Sequence, residues 1–270
     1  MRFKTIFWLF NAVVLVSVLF IAFIPLIAWG GEYAGVFWGN IWVVGAVFLL
    51  FIAVLDGYFV RNWKLFTLLE KEDWPALLAW LEERIYGSRR IGRAYASLLV
   101  NTALSVSNLE AVRRLEAEVA ERRPALKRQI GVILGIPVLL QRDPAAMEAY
   151  FGPLADDPGT KRREWALWCR ALGRVSGGNA PGALDDLSPL FASKDAALRL
   201  LAVHLAAPLR AEMAPERAGA MDAALASLRA DLAGEAGERR LARSREENLM
   251  AVVLSSLVND ARRELLEAAN

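Results

Sequence analysis

Two long runs without a charged side chain near the start of the chain constrain its fold more than any other feature. The first extends from Thr5 to Trp29, and its polar members are Thr5, Asn11 and Ser17. The second extends from Val36 to Leu55 and is interrupted only by Gly39, Asn40 and Gly45. An α-helix rises about 1.5 Å per residue, so about 20 apolar residues cover a hydrocarbon core of roughly 30 Å. Each run therefore predicts a transmembrane helix, with spans at about 5–29 and 36–55. Between them, Gly30-Gly31-Glu32-Tyr33-Ala34-Gly35 predicts a short turn. The expectation is an antiparallel hairpin over residues 1–60. A cleaved signal peptide would have a shorter apolar region and a small-residue cleavage site. The first run is too long, and Trp29-Gly30-Gly31 is a poor site.

The flanking charges orient this hairpin. Arg2 and Lys4 precede the first run, and Arg61 and Lys64 follow the second. The turn has no Lys or Arg and carries Glu32. Basic residues flanking spans stay on the cytoplasmic side, so both termini are expected in the cytoplasm of a cell whose inner membrane holds the chain. Aromatic residues are expected at the interfaces. Phe7, Trp8, Tyr58, Phe59 and Trp63 would mark the inner one, and Trp29, Tyr33, Phe37 and Trp38 the outer. Asn11 and Asn40 are expected to hydrogen-bond between helices, with Asp56 at the interface. Two spans without a buried charge make a poor ion or substrate path.

Residue usage excludes several function classes. Lys+Arg number 32 against 30 Asp+Glu, which lacks the concentrated basic balance of a nucleic-acid binder. One cysteine, Cys169, and one histidine, His204, leave too few ligands for a Cys/His metal site. His204 lies in the apolar stretch LLAVHLAA, and Cys169 lies beside Trp168. Both are expected to be core or groove residues. The glycines of VSGGNAPG follow no strand and lack a Lys-Ser/Thr pair, so they do not form a phosphate cradle. Asp156-Asp157 and Asp185-Asp186 stand near helix ends and read as caps and surface. No catalytic residue, metal or cofactor is expected, and the chain is not expected to be an enzyme.

Beyond residue 60 the apolar spacing is helical, and four helix starts recur at one interval. Asp73 opens DWPALLAWLEE, Asn108 opens NLEAVRRLEAEV, Asp143 opens DPAAMEAYFGPL and Asn179 opens NAPGALDDLSPLF. Their separations are 35, 35 and 36 residues. Asp and Asn are good N-caps, and Pro75 sits in a first turn where its missing N–H is harmless. Further helices are expected before these starts, at residues 90–105, 125–140 and 161–175. Residues 58–70 would supply a leading helix by continuing the second span. One such helix pair cannot bury its apolar face alone, and stacking several makes a continuous core.

A two-helix unit of this length resembles the tetratricopeptide family in degenerate form, over roughly residues 58–213. That family places an Asp at the turn and a small residue eight places before it. Gly135 and Ala171 match the small position, whereas Leu65 and Val100 do not. The resemblance implies an all-α fold: a two-helix transmembrane hairpin, then an α-solenoid of tetratricopeptide-like pairs over 61–213. Residues 214–270 would add C-terminal helices, roughly 215–232 and 238–268. In the last of these, Leu249, Val253, Leu257, Ala261 and Leu265 form a stripe that would either cap the stack or bind a partner.

In such a solenoid the first helix of each pair lines a concave groove. The residues expected to face a partner there are Asn101, Gln129, Trp165 and Trp168, with core filling as the other reading of the tryptophans. Arg89-Arg90, Arg113-Arg114, Arg122-Arg123 and Lys127-Arg128 make the membrane-proximal half the more positive. That pattern suits anionic lipid or an ordinary charged surface. The layout implies a membrane-anchored, helical-repeat scaffold that binds protein partners at the cytoplasmic face. The alternative is a small structural subunit or assembly factor of a larger membrane machine, such as a secretion or motility apparatus. The expected partners are the lipid bilayer and other proteins, in a homo- or hetero-oligomer, and not nucleic acid.

Overall fold

The computed structural model describes residues 3–87, 91–232 and 234–267. Every regular element among them is helical. Contacts divide the chain into two compact units, Met1–Trp80 and Leu81–Asn270.

In the first unit, α1 (Phe3–Trp29) and α2 (Gly31–Arg61) are joined by a turn shorter than expected. Only Gly30 leaves the helical conformation, at φ 82. Glycine enters that left-handed region without a Cβ clash, so one residue separates the helices. The two helices run antiparallel. Asn11, near the start of α1, donates from Nδ2 to Asp56 Oδ1, near the end of α2, at 3.3 Å. Phe7 meets Phe59 and Trp63 edge-on, with ring centres 6.2 and 5.5 Å apart. The side chains of Trp29, Tyr33, Phe37 and Asn40 lie outside the described residues, as does Arg2.

Among the described residues, most of the hairpin's side chains are exposed. The apolar windows in Lys4–Ala28 and Ile41–Arg61 are 0% buried, and both helices are long and apolar enough to cross a membrane. Phe20 is 67% exposed and Ile27 82%. Contiguous apolar surface of this extent is unfavourable in water and marks contact with lipid or protein. Helix α2 continues past Leu55 to Arg61, and Asn62 Nδ2 turns back to the Tyr58 carbonyl at 2.8 Å. The chain then resumes as α3 (Trp63–Glu70).

One turn geometry recurs along the chain. It precedes α4 (Trp74–Tyr86), α6 (Leu109–Arg122), α9 (Pro144–Asp156) and α11 (Ala180–Leu187), and closes the helices before them: α3, α5 (Arg93–Ser105), α8 (Ile136–Gln141) and α10 (Arg163–Ser176). Glu72, Ser107, Arg142 and Gly178 each take positive φ, at 53, 56, 55 and 78. The next residue is the cap. The side chains of Asp73, Asn108, Asp143 and Asn179 accept from the N–H groups of Ala76, Ala111, Ala145 and Gly182 at 3.1, 3.0, 3.0 and 3.0 Å. The N–H groups of Asp73, Asn108 and Asn179 also reach back to the carbonyls of Leu68, Ala103 and Arg174. These bonds satisfy carbonyls that a helix end leaves open. The interval of 35 to 36 residues thus corresponds to a repeated stop-and-cap.

Within the second unit, α6 packs on α5 and α7 (Pro124–Leu134), and α10 packs on α9 and α11. The helix expected over 125–140 is broken at Gly135 into α7 and α8. Pro137 cannot donate to the carbonyl four residues earlier, which interrupts the ladder there. Gly135 also lies under two rings. A Cβ there would stand 2.5 Å from Tyr150 Cε1 and 2.6 Å from Phe151 Cζ. Phe151, Leu115 and Trp168 are fully buried at the centre of these layers. A buried ion pair joins α10 to α11: Arg170 donates from Nε and Nη2 to the two Asp186 oxygens at 2.9 and 2.7 Å.

Helix α12 (Ala196–Ala206) is the axis of the C-terminal part and packs against α13 (Pro215–Asp231), α14 (Gly234–Glu247) and α16 (Ser255–Arg262). The single last helix expected over 238–268 is instead α14, the short α15 (Leu249–Val253) and α16; Ala268 lies outside the described residues. Asn248 leaves the helix at φ −140 and caps the Met250 N–H, and a second break at Leu254 separates α15 from α16. The buried face is Met250, Ala251, Val258 and Ala261. Of the expected stripe, only Ala261 lies on it. Arg89 and Arg90 lie outside the described residues.

Candidate functional site

Helix α5 carries Arg93, Ser97 and Asn101 at intervals of four, which places them on one face. Helix α7 contributes Gln129 and Ile133, again four apart. The loop before α10 adds Lys161 and Arg162, and the junction of α14 and α15 adds Glu246, Glu247 and Leu249. Together these surround a cleft of about 190 Å³ within the second unit.

Arg162 sits where two sides of the cleft meet. Its backbone is left-handed, at φ 64, at the cap position of α10. Its guanidinium donates from Nη1 to Asn248 Oδ1 at 3.1 Å and from Nη2 to the Glu247 carbonyl at 2.7 Å. Both acceptors are neutral. Loss of water around this guanidinium and the neighbouring Arg93 charge weaken its hold on its proton, and Asp195 partly offsets them. The Lys161 N–H donates to the Arg128 carbonyl at 2.7 Å, fixing the loop against α7.

Asp195 explains why the C-terminal segment closes the cleft. It caps α12, accepting from the N–H groups of Ala197 and Leu198. It also accepts from Trp165 Nε1 at 3.1 Å, Ser244 Oγ at 2.6 Å and Asn248 Nδ2 at 3.4 Å. One carboxylate therefore ties α10, α12 and α14 to the residue that holds Arg162. A carboxylate has about four acceptor positions and is well suited to such a junction.

Among the residues expected to face a partner, the structure brings Asn101 and Gln129 together in the cleft, both exposed. The tryptophans are placed otherwise. Trp168 is wholly enclosed and Trp165 is 2% exposed, with its indole N–H on Asp195. Helix α10 is covered by α9 and α11, so tryptophans three apart fall on its enclosed face; the core reading describes them. Arg93, Ser97, Lys161 and Arg162 escaped sequence reasoning. The spacing of Arg93, Ser97 and Asn101 was legible. The return of residues 246–249 to that face was not.

The other singled-out residues do little at this site. Cys169 is buried in apolar surroundings, and burial pushes its thiol well above the usual range. His204 Nδ1 lies 3.6 Å from Glu264 Oε2, away from the cleft. Among the described residues there is no group of three or more His, Cys, Asp or Glu side chains able to hold a metal ion. The cleft presents cations and amides, which bind and orient. Guanidinium is not a proton acceptor at ordinary pH.

No solved structure matches the chain. An uncharacterized protein of Treponema pallidum (strain Nichols) is 26% identical over 280 residues, covering 97% of this chain and 87% of the relative. Residues 111–267 match the family model described as an uncharacterised Treponema protein, and since that match spans more than half of the sequence, the chain belongs to this family.

Proposed function

We propose that this chain is a membrane-anchored helical scaffold without catalytic chemistry of its own, holding protein partners at the cytoplasmic face of the inner membrane. The uncovered apolar surface of α1 and α2 carries this reading: a bilayer is the simplest environment that removes both from water. The charges around the hairpin support two crossings with both termini inside. The stop-and-cap turns preceding α4, α6, α9 and α11 support a tetratricopeptide-like stack of helix pairs, since each pair must bury its apolar face on the next. A stack of this kind offers side chains along an extended surface, and Asn101 and Gln129 are exposed on one part of it.

Reporter fusions at residue 33 and at the C-terminus test the topology. An externally active reporter at residue 33 and an internally active one at the C-terminus are expected. A C-terminus outside the membrane would refute the orientation. Release of the chain from membranes by alkaline carbonate would refute the anchor. Partner binding is tested by crosslinking in intact cells and purification in mild detergent. A chain recovered alone and monodisperse would remove the scaffold reading.

A further inference from the structure

We propose that the cleft between α5, α7 and the α14–α15 junction binds a small oxyanion, a phosphate or carboxylate group, among Arg93, Lys161 and Arg162. The site would exist whether or not the hairpin anchors a scaffold, so it goes beyond that reading.

Arg93 and Lys161 have no side-chain hydrogen bond or ion pair to any described residue. Arg162 spends its hydrogen bonds on neutral acceptors, the Asn248 amide oxygen and the Glu247 carbonyl. Its position and charge survive together. Two carboxylates line the same cleft, but Glu247 is paired outward with Arg243 Nε at 2.7 Å, and Glu246 is exposed. The three cations thus outnumber the two carboxylates of the cleft, one of which is already paired with Arg243. Arg93 acts on Arg162 as a like charge. Folding brings them together against their repulsion, which an anion between them would relieve.

The Asn101 and Gln129 amides and the Ser97 hydroxyl have no side-chain hydrogen bond to any described residue and offer donors to oxygen atoms that the cations leave open. The guanidinium fork suits planar carboxylate and tetrahedral phosphate alike. The Asn248 amide oxygen and the Glu247 carbonyl hold the Arg162 guanidinium in place. A volume of about 190 Å³ admits a small solute, not a folded surface.

Isothermal calorimetry of the full chain in a non-ionic detergent decides the matter, with pyrophosphate and citrate titrated separately. Saturable binding of one or both is expected, with a Kd of roughly 1 mM or tighter that weakens as salt rises. Response to pyrophosphate alone assigns a phosphate site, response to citrate alone a carboxylate site, and both together a general oxyanion site. Arg93→Gln should weaken binding about tenfold, the scale of one charge-assisted hydrogen bond, without lowering Tm. Lys161→Gln serves as the second variant and should weaken binding similarly. Failure of both titrants to saturate, or undiminished affinity in both variants, would overturn the proposal.

Discussion

Removing the Asp186 carboxylate should destabilise the second unit more than removing any exposed charge. Asp186 is 3% exposed and accepts from three guanidinium nitrogens: Arg170 Nε at 2.9 Å, Arg170 Nη2 at 2.7 Å and Arg174 Nη1 at 3.0 Å. In Asp186→Ala, Arg170 stays 8% exposed and keeps one carboxylate, Asp156, which is mostly in solvent. Leaving a buried charge without its partner costs about 3–5 kcal/mol. Total stabilities of roughly 5–15 kcal/mol make that a large fraction. Asp156→Ala removes a partner whose side chain is 72% exposed and should cost about 1 kcal/mol or less. Replacing both buried partners, Arg170→Met with Asp186→Leu, should recover most of the loss, since an apolar pair needs no desolvation. The assay is urea unfolding of the detergent-solubilised chain, followed by far-ultraviolet circular dichroism. Equal losses in Asp186→Ala and Asp156→Ala would refute the reasoning, as would a double variant worse than the single one.

Other perturbations have expected outcomes. Gly135→Ala drives a methyl into Tyr150 and Phe151, and overpacking of this kind should lower stability by about 1–3 kcal/mol in the same unfolding assay. Tyr86 has a buried hydroxyl without a hydrogen-bond partner among the described residues and lies under the Arg114 guanidinium at 4.3 Å. Burial and the nearby Glu82 push its pKa up to about 12. The stability this represents is complete below the ordinary tyrosine value near 10 and is lost as pH rises toward 12. Tyr86→Phe should therefore hold wild-type stability at neutral pH and flatten the alkaline loss measured by thermal unfolding. Hydrogen bonds from Arg199 and Arg240 hold the Asp231 carboxyl below its usual range. Its contribution is present above the ordinary carboxylate range and disappears as pH falls through the folded-state value, so Asp231→Asn should lose less stability than wild type on acidification.

Much of this molecule was legible before any coordinate. Two charge-free runs announced α1 and α2, both long and apolar enough to cross a membrane. Asp73, Asn108, Asp143 and Asn179 announced four helix starts because a short polar side chain can accept from the first-turn N–H groups. These are local effects, decided within a few residues. Packing decided the rest. Tyr150 and Phe151 occupy the space a side chain at Gly135 would need, two residues before the proline that breaks the helix. A break at Leu254, between α15 and α16, interrupts the expected stripe, and the buried face falls elsewhere. Trp165 and Trp168 share a face by spacing, but only the covering by α9 and α11 makes that face the core. The cleft depends on contacts across long stretches of sequence. Asp195 binds Ser244 and Asn248, and Asn248 in turn sets Arg162 opposite Arg93. No periodicity carries that information, because a carboxylate that gathers distant segments looks, in sequence, like any other N-cap.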